Sequence, residues 1–237
     1  MLTFGQRRGI VVRNVADLAQ PPAAPTKPRD ALTVDQARRL LAACSGERYG
    51  PLVTLSLLLG LRPGEATGLT WPHVHLDTDP PTLTVEHSLR RLPDGTLTLA
   101  PPKTASSRRT LALPPPCLTA LRDQQALQDK DLRAAGPAWS NPLLLVLTTD
   151  TGGPLDPSNV RRALTRIART AGIGHVHPHQ LRHATASLLS DAGVPLEDIA
   201  DTLGHRSVTI TADIYRHPLQ TVRTRHVHAM TALAAHQ

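Results

Sequence analysis

The apolar positions of this chain change period twice. From about residue 31 they recur every three or four residues, between residues 81 and 114 they alternate, and after Pro116 helical spacing returns. The run TVDQARRLLAAC carries a helix start signal, with Thr33 as N-cap and Gln36 three residues on. The run YGPLVTLSLLLGLRPGEATGLTW predicts a second helix. It is apolar nearly all round over residues 52–59, which is the pattern of a buried helix. Gly60 breaks it, and Pro63 begins another short helix. TLTVEHSLR, GTLTLAP and RRTLALP alternate and are β-branched, with Asp94-Gly95 placed as a hairpin turn. They predict a small three-stranded antiparallel sheet. PCLTALRDQQALQDKDLRAA predicts one later helix, and LDPSNVRRALTRIARTAGI another with Ser158 as its cap. Short helices separated by Gly and Pro complete the chain. The fold class expected is α+β, mostly α.

The first thirty residues follow a different rule. RRGIVVRNVADLAQ makes residues 1–20 a short basic helix. PPAAPTKPRD (21–30) has four prolines in ten residues and predicts an extended linker. The globular part is therefore expected over residues 31–237.

Composition narrows the function classes. Hydrophobic residues make up 40% and aromatic ones 2%, so the core must be built from Leu, Val and Ala. Lys plus Arg number 26 against 19 for Asp plus Glu, a net charge of +7 that favours a polyanionic partner. Nearly all of that charge is arginine; the lysines are Lys27, Lys103 and Lys130. Cys44 and Cys117 lie far apart without a CxxC, which fits a reducing cytoplasm and no cysteine-based metal site. No apolar run has membrane-spanning length, so a soluble, cytoplasmic protein without a membrane partner is expected.

The segment HPHQLRHA is where chemistry concentrates. Pro178 suits a helix start, and Leu181, Ala184, Leu188 and Leu189 form the expected buried stripe. His179 and Arg182, three apart, are expected on a different face near the helix N-terminus, where anions are favoured. A guanidinium there can grip two phosphate oxygens and an imidazolium can add a donor. His179 and His183 have a spacing that can hold zinc. However, no HExxH glutamate follows, and an arginine between the ligands would repel a dication. No metal and no cofactor is expected. LEDIADTLGHRSVTITADIYRH then predicts a helix stopped by Gly204, His205, a Ser207 cap, and a helix carrying Tyr215.

Taken together, GLRPGEATGLTW with Arg62, the PKT lysine Lys103, HQLRH with His179 and Arg182, LGH with His205 and YRH with Tyr215 resemble the tyrosine recombinases, the phage integrase family. The resemblance runs from about residue 32 to 217. It implies an integrase-type catalytic domain that cuts and rejoins DNA strands through a 3′-phosphotyrosine. The six residues then take roles that the chemistry demands. Tyr215 is the nucleophile, and His179 is the base that accepts its proton. Arg62 and Arg182 hold the non-bridging oxygens, and His205 adds a donor to the same phosphate. Lys103 is the general acid for the 5′-oxygen, because an arginine barely gives up its proton. Read singly, Arg62 is also a plausible helix-end charge and Lys103 a plausible edge-strand guard. Glu65 is expected to orient an arginine or cap a helix. Arg90, Arg91, Arg108 and Arg109 are expected on a solvated sheet face or against backbone phosphates, and His175, His177, His183 and His217 at helix ends or on the surface.

Members of the family carry an N-terminal core-binding domain, of which residues 1–20 resemble only the last helix. The resemblance further implies double-stranded DNA as partner, a homotetramer on paired DNA sites for an active full-length protein, and a bacterial, nucleoid-associated location. A DNA-binding remnant of a mobile element that no longer recombines is the alternative reading.

Overall fold

A computed structural model describes residues 2–14, 31–101 and 107–204. The chain divides into two compact units, Met1–Asp30 and Ala31–Gln237. In the first, helix α1 spans Leu2–Arg7. The sequence pattern made residues 1–20 a short basic helix. Instead the described residues past Arg7 turn out of helix, with Gly9 at φ 69°, and the amide of Ile10 folds back to the carbonyl of Gly5 at 2.9 Å.

The second unit begins with α2 (Val34–Ala43), and here the local signal is realised in full. The Thr33 hydroxyl accepts from the Gln36 amide while the Gln36 side chain accepts from the Thr33 amide. Helix α3 (Gly50–Leu58) is buried all round, with Leu52, Val53, Leu55 and Leu57 nearly without exposed surface. It packs against α2, α5 (Pro115–Ala135) and α7 (Pro178–Asp191). It is the central rod of the core, which explains its lack of a polar face. The short α4 (Pro63–Thr67) follows two residues after the break at Leu59–Gly60.

The strands differ from the expectation in their membership. The three-stranded antiparallel sheet is β1 (Val74–His75), β2 (Thr82–Val85) and β5 (Arg109–Ala112), in the order β1-β2-β5. The run TLTVEHSLR is two strands. After Val85 the chain leaves that sheet at Glu86–His87, and β3 (Ser88–Arg91) pairs instead with β4 (Leu97–Ala100) in a separate hairpin. Alternation cannot reveal such a break, because both halves keep period two. At the hairpin tip the Asp94 side chain accepts from the Thr96 amide at 2.9 Å and Gly95 takes φ 90°.

Helix α6 (Pro157–Thr170) buries Val160, Ala163, Leu164 and Ile167 and turns its arginines outward. Its cap is Asp156, whose carboxylate accepts from the Ser158 amide at 2.6 Å, and not Ser158 itself. Pro157 fills the first helical position, so the capping side chain has to precede it. In α7, Leu181 and Ala184 are fully buried while Leu188 and Leu189 are half-buried. Helix α8 (Leu196–Leu203) packs on α7 and β5 and ends at Gly204 in the left-handed region, φ 63°. That conformation is one an L side chain resists, so the predicted stop has a definite cause. No helix among the described residues is long and apolar enough to cross a membrane.

Candidate active site

The site is built where α8 ends. Every α-helix leaves its last carbonyls without intrahelical partners, and they carry the negative end of the helix dipole. Here three arginines from three different elements take three successive carbonyls. Arg109 of β5 donates from Nε to the Thr202 oxygen at 2.6 Å. Arg182 of α7 donates from Nη2 to the Leu203 oxygen. Arg62, at the N-cap of α4, donates from Nη2 to the Gly204 oxygen at 3.2 Å. The residue after Gly204 is His205.

Each arginine is placed by local structure that the sequence encodes. Gly60 adopts φ +62°, which turns the chain out of α3 and sends Arg62 toward α8. A Cβ at Gly60 would lie 2.3 Å from Leu203 Cδ2, so any side chain there would displace the Leu203 side chain as well as strain the positive φ. The Gly60 carbonyl accepts from Arg182 Nη1 at 2.6 Å. Arg182 is therefore buried, and its guanidinium bridges the α3 exit and the α8 end. The sequence pattern put His179 and Arg182 together on one open face of α7. Instead His179 is exposed on the first turn, and Arg182 points inward with Leu181, Ala184 and Thr185. Three residues on a helix differ by about 60° in direction, enough to separate the surface from the interior at the edge of a buried stripe.

A carboxylate organises the cluster. Glu65, 2% exposed, reaches back from α4 to accept from the Arg62 amide at 3.0 Å. It also accepts from Arg62 Nη1 at 2.6 Å and from Arg109 Nη2 at 3.0 Å. Burial pushes the Glu65 carboxyl up, but the charge and hydrogen bond of Arg109, with the backbone and side-chain bonds of Arg62, outweigh it and hold the group below the ordinary carboxylate range. Glu65 thus both caps a helix and orients an arginine, as expected. Three guanidiniums against one carboxylate leave a positive excess facing the end of α8. Arg62 keeps 36% of its side-chain surface open, so its guanidinium is within reach of an anion.

Arg109 is the residue the sequence reading misplaced. Expected on a solvated or phosphate-facing sheet surface, it has a side chain only 7% exposed. The signal was available: Arg109, Leu111 and Leu113 alternate onto one face, and both leucines are buried. Arg108, on the opposite face, pairs with Glu86 at 2.6 Å. Arg91 pairs with Asp156 on the surface, and Arg90 donates to the Pro101 carbonyl at 3.2 Å.

His175 and His177 are exposed, with rings 4.4 Å apart edge to face. His183 lies on the open side of α7. Partial burial of its ring, then the charges of His179 and Arg182, push it below the usual imidazole range. Among the described residues no group of three or more His, Cys, Asp or Glu is arranged to hold a metal ion. Cys44 and Cys117 are buried free thiols, pushed up by burial to about 11 and about 12. Lys103, His205, His217 and Tyr215 lie outside the described residues.

Elsewhere in the same unit, α6 and the loop leading into α7 form a groove of about 770 Å³. Arg161, Arg162, Arg166 and Arg169 line it, with His175 and His177.

Comparison with known proteins places this architecture. The sequence pattern of the phage integrase family matches residues 30–221. An integrase of Streptomyces ambofaciens is 39% identical over 226 residues, which is 91% of this chain and 56% of that protein. A XerC-like tyrosine recombinase of Caldanaerobacter subterraneus subsp. tengcongensis is 29% identical over 84% of this chain and 53% of its own length. The chain thus spans about half the length of these curated relatives. Among solved structures, the Tn1549 transposon integrase bound to a circular intermediate DNA superposes with a TM-score of 0.69 at 16% identity, covering 95% of this chain and 75% of that one. XerA recombinase superposes with a TM-score of 0.64 at 25% identity, covering 87% of this chain and 67% of its own.

Proposed function

The chain belongs to the phage integrase family, and from that premise we propose that residues 31–237 form a catalytic domain that cuts and rejoins strands of double-stranded DNA at specific sites. One observation carries the reading. Arg62 and Arg182, which the sequence separates by the whole sheet and two long helices, donate to adjacent carbonyls at the end of α8, immediately before His205. A phosphodiester under attack develops charge on its non-bridging oxygens, and preorganised guanidiniums are the donors suited to it.

In the proposed reaction the Tyr215 oxygen attacks phosphorus in line with the 5′-oxygen. Its proton passes to His179. The pentacoordinate transition state is held by Arg62 and Arg182, with His205 as a further donor. The P–O5′ bond breaks as Lys103 delivers a proton to the leaving oxygen. The product is a 3′-phosphotyrosine and a free 5′-hydroxyl. Attack by a 5′-hydroxyl reverses the steps and rejoins a strand without an outside energy source. Arginines and histidines supply the positive charge, so the step runs without a metal or cofactor, and excess chelator should leave it unchanged. The arginine-lined groove on α6 is read as a surface for the duplex backbone. Residues 1–20 are read as part of a separate core-binding unit, 21–30 as a linker, and the active assembly as a homotetramer on paired sites within the bacterial nucleoid.

The test is covalent capture. The full chain is incubated with a library of nicked duplexes of randomised sequence, and denaturant-stable protein–DNA adducts are recovered. A 3′-phosphate joined to Tyr215 is expected, with Tyr215→Phe binding DNA but forming no adduct. An adduct that persists in the Phe variant, or none from the unaltered chain, would overturn the reading.

A further inference from the structure

Arg109 is a deeply enclosed charge that the reaction scheme leaves without a role. Its Nε is taken by the Thr202 oxygen at 2.6 Å, its Nη1 by the Ser107 oxygen at 3.0 Å and its Nη2 by Glu65 at 3.0 Å. All three nitrogens of Arg109 thus have acceptors within the fold, and only 7% of the side chain is exposed. Its effect must pass through its partners, and Glu65 is the partner it shares with Arg62.

The electrostatics without Arg109 are unfavourable for the site. Glu65 would then face Arg62 alone, with a carboxylate oxygen 2.6 Å from its Nη1. In a poorly solvated setting a carboxylate at that distance cancels most of a guanidinium's field. Glu65 cannot turn to water instead, since it is almost fully buried. An arginine neutralised in this way has little attraction left for a phosphate. With Arg109 present one carboxylate is divided between two cations, and Arg62 keeps an uncancelled share of its charge. Arg109 also holds the Thr202 carbonyl, fixing the turn whose next two carbonyls receive Arg182 and Arg62. The effect is thus both electrostatic and geometric.

We infer that Arg109 is a positioning residue for strand cleavage: by sharing Glu65 and holding Thr202 it leaves Arg62 with the orientation and net positive charge needed to take a non-bridging oxygen of the scissile phosphate. The inference rests on the proposed function. A purely structural ion pair would instead serve stability alone, with no link to substrate charge.

The experiment separates these two roles. Arg109→Met, Arg109→Lys and the double variant Arg109→Met/Glu65→Gln are compared with the unaltered chain in single-turnover adduct formation. The temperature is one at which circular dichroism shows each of them folded. Two versions of a captured duplex are used, one with the natural phosphate and one with a methylphosphonate, in which a methyl group replaces one charged oxygen. Arg109→Met should cleave the natural phosphate roughly tenfold more slowly, somewhat less than the loss of a direct oxyanion donor. The deficit should shrink to about threefold or less on the methylphosphonate, which has less charge to neutralise (a tenfold change is about 1.4 kcal/mol). Adding Glu65→Gln should restore cleavage of the natural phosphate, because it removes the charge that cancels Arg62. Equal slowing on both duplexes, or no recovery in the double variant, overturns the inference. If Arg109→Met does not fold, the neutral Arg109→Gln carries the same comparison, since Arg109→Lys keeps the positive charge. If the unaltered chain captures no duplex, the proposed function fails. The charge sharing is then decided by titrating inorganic phosphate against the Arg62 guanidinium resonance. Binding weakened about threefold or more in Arg109→Met, and regained with Glu65→Gln, supports it. Equal affinity overturns it.

Discussion

The guanidinium of Arg182 donates to the carbonyl oxygen of Gly60 at 2.6 Å, across 122 residues of sequence. This one bond ties the exit of α3 to α7, and the other arm of the same guanidinium reaches the end of α8. The placement of Arg62 depends on the same turn.

Gly60→Ala should therefore damage fold and site together. The residue adopts φ +62°, and the added Cβ would meet Leu203 Cδ2 at 2.3 Å and Thr185 Cγ2 at 3.3 Å. Left-handed backbone strain and the clash together should lower unfolding free energy by about 1–3 kcal/mol. Urea denaturation measures this. A loss below about 0.5 kcal/mol would mean that the turn relaxes freely and does not fix Arg62.

The Glu65 carboxyl gives a pH signature with a definite sign. Its folded value lies below the reference value of 4.5. The group thus contributes stability that is present above pH 4.5 and is lost as pH falls through the lower, folded value. Glu65→Gln should be less stable than the unaltered chain at neutral pH. It should also show a shallower decline on the acid side, so that the two curves converge at low pH. Parallel curves on either side of pH 4.5 would mean that the carboxylate carries no net favourable interaction.

Lys103 is tested by leaving-group chemistry. If it protonates the 5′-oxygen, Lys103→Ala should slow cleavage by about 10²–10⁴-fold. A bridging 5′-phosphorothiolate departs as a thiolate and needs no proton, so it should return most of the lost rate. The same duplex should do little for Arg182→Ala, whose defect is transition-state charge. Equal rescue of both variants would remove Lys103 from the acid role.

The arginine groove on α6 makes a prediction in salt. Every phosphate that the protein ceases to neutralise should reduce the slope of log K against log salt by about 0.9. Arg161→Ala with Arg169→Ala should lower the slope by about 2 on a duplex of arbitrary sequence. Arg48→Ala should leave the slope unchanged, since Arg48 does not line the groove and is held by Asp131 through two hydrogen bonds. An unaltered slope in the groove variant would place the duplex elsewhere.

What the sequence determined by itself is what depends on near neighbours. The capping box at Thr33, the all-apolar α3, the breaks at Gly60 and Gly204, the start of α7 at Pro178 and the class of the fold are all set within a few residues, by hydrogen-bond geometry and periodicity. The order of motifs was also legible, because chemistry of this kind demands particular residue types. Tertiary structure decided where the charges point. Arg182 faces inward, Arg109 is buried, and Glu65 is shared between arginines because each meets partners 21 to 122 residues distant. A helix stripe has an edge and a strand has two faces, so local pattern says that a side chain stands near a boundary. Which side it takes depends on the carbonyls and carboxylates that the rest of the fold brings there, since a buried guanidinium is stable only where acceptors meet it.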